Sequence, residues 1–287
     1  VSASAPAANT AQPLLVVVDP AARRADGESV RIAKDVLCAR SGGPVKICLP
    51  DGPEEFARAL QRRGARRPVV VGDDRALLRA VAVLHREREL ASAVLSLVPV
   101  GTQTRLAQDL GVPSGPVAAA SAVLDGAGRQ LDLLVDDSDG VVLGDLRIPA
   151  LAPSGSGTAS AGSGAEPHGR DHWWRTCQSL VRTLVRPAPA GAPGPSRLRV
   201  EADGVTLVDL DQPVEDIWVS TSRGGLARVE VRPTSVGAAA PSLLTRARSV
   251  TVSGPDFRYR ADALTAGPVR TRTWTVRAGA WTLTLPA

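Results

Sequence analysis

Four stretches of this chain hold the residues best suited to anion or metal chemistry. Asp19-Pro20-Ala21-Ala22-Arg23-Arg24 follows an apolar run. Val71-Gly72-Asp73-Asp74-Arg75 follows another. A third stretch runs from Pro99 through Gly101-Thr102-Gln103-Thr104-Arg105 to Gly111-Val112-Pro113. Arg260-Ala261-Asp262-Ala263-Leu264 is the fourth. Small residues such as Gly72 and Gly101 let a backbone approach phosphate, and Thr102 and Thr104 offer hydroxyls. A following helix start supplies free N–H groups. Arg23 and Arg75 supply positive charge, Asp73 a hard oxygen ligand for Mg²⁺, and Asp262 a carboxylate able to act as a general base. Each feature also has a plain structural reading. Gly72-Asp73-Asp74 alone is an ordinary strand-to-helix turn with Asp as the N-cap, and Thr102 alone is a cap.

These segments gain meaning from the elements that carry them. Residues 14–19, 45–49, 68–71 and 93–99 read as short buried strands. Residues 28–40, 53–63, 75–88 and 102–110 between them have helical spacing. Strands alternating with helices predict a parallel sheet covered on both faces, with the carboxyl ends of all strands, and hence the first three segments, on one edge. Beyond residue 128 the pattern turns to short alternating strands, at 130–135, 141–148, 198–202, 205–210, 216–221, 227–232, 249–253, 257–261, 269–276 and 281–285. These predict an antiparallel sandwich or barrel. The expected fold class is therefore α/β plus all-β. A loose tail covers 1–12, an α/β nucleotide-binding-like domain 13–128 and a β-sandwich domain 129–287. The second domain is interrupted by a Ser/Gly/Ala linker at 149–167, a helix at 171–186 and a Pro-rich linker at 187–196.

In that setting the chain resembles the catalytic family of diacylglycerol kinases, which includes bacterial lipid kinases and sphingosine kinases and is distantly similar to NAD kinases. Pro99…Gly101-Thr102…Leu106-Ala107…Leu110-Gly111-Val112-Pro113 is similar to the family's P-x-G-T-G-N-D-F-A-x-x-L-G-I-P. Asp19-Pro20 falls where the family has Asn-Pro, Gly72-Asp73 where it has G-G-D-G-T, and Asp262 where it has D-G-E. Asp132-Leu133 and the stretch from Trp274 to Pro286 also match in order. The resemblance implies ATP and Mg²⁺ as cofactors, a lipid alcohol as substrate, and final strands that return to the first domain. On it, Asp73 would organise the metal, Gly101 and Thr102 would touch phosphates, and Asp262 would be the base.

The chain also departs from the family pattern. The Gly-rich turn has become Val71-Gly72-Asp73-Asp74-Arg75, the second Gly and the Asn of G-T-G-N are Gln103 and Thr104, and the acid of D-G-E is Leu264. Two functions stay open. One is a catalytically degenerate scaffold that binds a nucleotide, lipid or protein partner through the old cleft. The other is an active lipid kinase.

Composition narrows the remaining classes. Arginine outnumbers lysine 32 to 2, and the net charge is +5. Residues 1–165 hold 18 basic and 18 acidic side chains, so the whole excess lies in 166–287. The basic run Arg62–Arg67 has no interleaved aromatics, so nucleic acid is not an expected partner. The 171–186 stretch, with Trp173, Cys177, Leu180 and Leu184 on one face and several arginines off it, fits either packing on its own β domain or an anionic membrane surface. Glu166, His168, Asp171 and His172 read as a solvated loop rather than a zinc site. Cys38, Cys48 and Cys177 exclude a disulfide framework, and with no evident signal sequence a reducing, cytoplasmic setting is expected, with membrane association left open. Cys38, Cys48, Trp218, Trp274 and Trp281 read as core residues.

Overall fold

In the computed structural model, which describes residues 12–150, 195–222, 224–234 and 241–287, four parallel strands start the chain. They are β1 (Leu14–Val18), β2 (Val45–Cys48), β3 (Arg67–Gly72) and β4 (Val94–Pro99), ordered β4-β3-β1-β2. Their side chains alternate between two cores. Leu15, Val17, Val70, Leu95 and Leu97 face helices α3 (Pro53–Gln61) and α4 (Asp74–Arg86). Leu14, Val16, Val18, Val69, Val71 and Val98 face α2 (Gly27–Arg40) and α6 (Pro116–Asp125). Burial on both faces is why β1, β3 and β4 read as apolar runs, whereas the edge strand β2 carries the exposed Lys46. Two short helices, α1 (Pro20–Ala25) and α5 (Arg105–Asp109), complete this part.

The antiparallel part comprises β5 (Ala127–Asp136), β6 (Val141–Val142), β7 (Asp145–Ile148), β8 (Arg199–Ala202), β9 (Val205–Val208), β10 (Val214–Thr221), β11 (Ala227–Pro233), β12 (Leu243–Ala247), β13 (Ser249–Ala261) and β14 (Leu264–Leu285). Its own core centres on Trp274, Val250, Val252, Ile217 and Val229. The predicted class, a parallel α/β part followed by antiparallel strands, is what the structure shows.

The last strand joins the two parts. β14 pairs antiparallel with β13 and β5 along its length, then runs parallel to β4 through Thr282↔Val94 and Leu283↔Leu95. Ser96 Oγ donates to Thr284 Oγ1 across this seam at 2.8 Å, with both residues buried. The expected return of the final strands is thus met.

Several local expectations change. The runs at 269–276 and 281–285 belong to one strand with a register shift between Arg277 and Trp281, and 249–253 and 257–261 are likewise one bulged strand. The run 141–148 divides into β6 and β7. Helices α1 and α6 and strand β12 were not anticipated. Trp274 and Trp281 are fully buried, but Trp218 lies on the outer sheet face and is half-buried. Cys38 is exposed and Cys48 half-buried. The sequence readings at 166–172 and 171–186 lie outside the described residues. No helix among the described residues is long and apolar enough to cross a membrane.

Candidate functional site

The carboxyl ends of β1, β3 and β4 lie side by side, held by backbone bonds from Asp19 N to Val71 O (2.8 Å) and from Val100 N to Gly72 O (3.0 Å). Asp19, Gly72, Asp73 and Gly101 are therefore neighbours. A Cβ on Gly72 would stand 2.6 Å from the Ala76 Cβ and 3.0 Å from the Asp19 Cβ. One on Gly101, whose φ is +129°, would stand 3.1 Å from the Asp73 Cβ. Both glycines are needed because the protein's own side chains fill the space beside them.

Each carboxylate here has work inside the fold. Asp19 is buried; its Oδ1 accepts from Ala21 N at 2.7 Å, capping α1, and its Oδ2 accepts from Arg79 Nη1 at 2.5 Å. Asp73 is the N-cap of α4, its Oδ1 accepting from Arg75 N and Ala76 N, both at 3.1 Å. Asp74 is only 3% exposed. Its two oxygens accept from Leu106 N (2.9 Å) and Ala107 N (3.0 Å) in the first turn of α5. Burial pushes its carboxyl above the usual range, and those two N–H groups offset part of the shift. Thr104 stands at the N-cap position of α5 but makes no capping bond, so Asp74 does that work from another segment. The second and third sequence segments are further tied by Asp74 N donating to Gln103 O at 2.7 Å.

The cations are placed around this edge. Arg23 pairs with Asp51, beyond the end of β2, at 3.1 Å. Arg75 is exposed, as are Gly101 and Thr102. Arg79, which sequence reasoning passed over, is the cation that reaches into the strand ends, with its guanidinium also stacked 5.4 Å from the Phe56 ring centroid. The only available signal was a charged residue inside the otherwise apolar run of α4.

Asp262 arrives from the β13–β14 turn, in the left-handed region at φ +49°. Its Oδ2 accepts from Leu143 N at 2.8 Å, and its Oδ1 from Gly144 N at 2.8 Å and Asp145 N at 3.1 Å. Burial dominates its acidity and pushes its pKa up to about 6 against the pull of those three donors. A Cβ on Gly144 would stand 2.9 Å from the Leu106 side chain and 3.0 Å from Asp262 Oδ1. The loop that Asp262 holds thus packs on the first residues of α5, whose N–H groups Asp74 occupies. Next in the turn, Ala263 is half-buried against the parallel-side core and Leu264 is half-exposed. Asp132, also singled out in the sequence, fastens two turns, accepting from Gly225 N and Gly279 N, both at 2.8 Å.

No group of three or more His, Cys, Asp or Glu side chains among the described residues is arranged to hold a metal. Two surface depressions of about 400 and 390 Å³ lie away from this edge. One is at the opposite ends of β1 and β2 beside Pro13 and Lys46, the other between α3 and α4.

No family model and no curated protein sequence matches the chain. Solved structures do. A diacylglycerol kinase from Bacillus anthracis strain Sterne superposes with a TM-score of 0.63 at 12% identity, covering 96% of this chain and 97% of that one. The chain has the diacylglycerol kinase fold. Two further structures from the same organism, provisionally named as that enzyme, superpose with TM-scores of 0.68 and 0.66 at 12% and 13% identity, with the same coverage. The diacylglycerol kinase fold accounts for the parallel part, the antiparallel part and the returning last strand together.

Proposed function

We propose that this chain is a member of the lipid-kinase group of the diacylglycerol kinase fold that no longer transfers phosphate and acts by binding a ligand or partner at the strand-end edge. The observation that carries this reading is the Asp74 carboxylate on the first N–H groups of α5. Two N–H groups in the first turn of α5, those of Leu106 and Ala107, are already taken by an internal carboxylate and are not free for a phosphate. Asp73 adds a carboxylate beside Gly101, while the Asp19 carboxylate beside Gly72 is already neutralised by Arg79. On this reading ATP with Mg²⁺ does not fit the edge as it stands. Asp73 brings one capping carboxylate rather than a ligand set, Arg79 is committed to Asp19, and Arg23 to Asp51.

A second reading, an active lipid kinase, draws support from Asp262. A carboxyl whose pKa lies at about 6 suits proton abstraction near neutral pH. Against it, both Asp262 oxygens already accept backbone N–H groups.

Calorimetry with ATP, with and without Mg²⁺, tests the choice. The degenerate reading expects no binding up to millimolar nucleotide and no rise in melting temperature. Micromolar, Mg²⁺-dependent binding would overturn it and call for a lipid-phosphorylation screen.

A further inference from the structure

The outer face of the antiparallel sheet carries a charge arrangement that folding alone disfavours. On β10, Ile217 and Val219 point into the core, so Trp218 points outward. On the same outward face, Arg228 of β11 stands directly opposite Arg246 of β12, and Arg147 of β7 directly opposite Arg260 of β13. Like charges directly opposed across a strand pair repel and cost stability. Here two such pairs flank one strand. One acidic neighbour relieves part of the repulsion, Asp145 at 3.6 Å from Arg147, whereas Glu230 pairs at 3.7 Å with Arg232, outside both arginine pairs. Among the described residues, Arg228, Arg246 and Arg260 have no ion-pair partner.

Trp218 sits between the two pairs. Its Nε1 donates to Asp145 Oδ2 at 2.7 Å, and guanidinium carbons from both neighbouring strands, Arg147 and Arg228, lie 5.6 Å from its ring centroid. Leu244, 59% exposed, lies on the same face opposite Glu230. With strands about 4.8 Å apart, the four arginines lie on β12, β11, β7 and β13, two strands on each side of β10, as a two-dimensional array.

We propose that this face docks on an anionic phospholipid membrane surface, with Arg147, Arg228, Arg246 and Arg260 facing lipid phosphates and Trp218 and Leu244 at headgroup depth. Charge complementarity identifies the occupant, since phosphate placed between opposed guanidinia turns a repulsive pair into a bidentate site. A two-dimensional array of guanidinia suits a headgroup layer, to which basic residues near the membrane surface are drawn. A single-stranded nucleic acid would need open aromatic rings for stacking, and the one indole here is flanked by guanidinia. The chain's own 151–194 stretch carries four arginines against two acids, so its charge does not complement this face. The proposal is independent of whether the strand-end edge transfers phosphate; ATP calorimetry without vesicles reads that separately.

Flotation with phosphatidylcholine vesicles, with and without phosphatidylglycerol, tests it on the full chain. Binding is expected only to the anionic vesicles and is expected to fall with added salt. Arg246→Glu combined with Arg260→Glu should lower partitioning at least tenfold. Because each change makes an opposed pair attractive, the melting temperature should hold or rise, which separates lost docking from lost folding. A Trp173→Ala, Trp174→Ala variant should retain binding. Wild-type partitioning by the double Glu variant would overturn the proposal. So would complete loss of binding on changing Trp173 and Trp174, or a wild-type chain that ignores anionic vesicles while binding DNA or an acidic peptide.

Discussion

Asp74 and Leu106 are joined by a hydrogen bond that crosses from the segment after β3 to the segment after β4. The buried carboxylate accepts from Leu106 N at 2.9 Å and, with its other oxygen, from Ala107 N. Replacing it by Ala strands two backbone donors in a site with little solvent. Asp74→Ala should therefore cost about 1–3 kcal/mol, and Asp74→Asn, which keeps one acceptor, should cost less. Urea denaturation of the two variants measures the difference.

Asp262 should mark the pH dependence of stability. Its folded pKa is raised to about 6 from an ordinary 3.8, so the unfolded chain releases this proton first as pH rises. The folded state is then relatively favoured below pH 4, and that advantage is lost as pH rises through 6. The full swing is on the order of 2–3 kcal/mol. Asp262→Asn should remove this component, so wild-type and variant stabilities plotted against pH should diverge between pH 4 and 6 and run parallel above. Parallel curves throughout would mean that Asp262 ionises normally.

The seam between the two parts can be measured by a double-mutant cycle. Ser96→Ala leaves the buried Thr284 hydroxyl unpaired and should cost about 1–2 kcal/mol, as should Thr284→Val. The double variant should cost less than the two singles added together, because no orphaned hydroxyl remains.

Gly72→Ala should be poorly tolerated for reasons unrelated to any ligand. The added Cβ meets Ala76 and Asp19 at distances that require α4 or α1 to move, at about 1–3 kcal/mol. A thermal melt of the variant checks this.

How much of this was legible in the sequence depends on how far each residue acts from its neighbours. The parallel strands were legible because β1, β3 and β4 are buried on both faces and read as apolar runs with helices between. The outline of the antiparallel part was legible from alternation, yet β13 and β14 read as four pieces because bulges at 253–257 and 277–281 break the two-residue period. At the strand-end edge, the N-cap role of Asp73 follows from local chemistry and was foreseen as an alternative. The roles of Asp74, Asp132 and Asp262 were not, because each binds backbone N–H groups tens of residues away, which no spacing rule encodes. The opposed arginines were hidden for the same reason. Arg147 and Arg260 become neighbours only once the register of β7 against β13 is fixed.

The place of β14 bears on how the molecule is made. A ribosome delivers β1 to β4 early, but the strand that lies against β4 and also zips to β5 and β13 is the last of the described strands to emerge. Until Leu285 has cleared the exit tunnel, β4 presents a bare parallel edge and β5 has only the two-residue β6 beside it. Until the 22 residues of β14 are available, the nascent chain must wait with exposed edges, a state that favours chaperone capture.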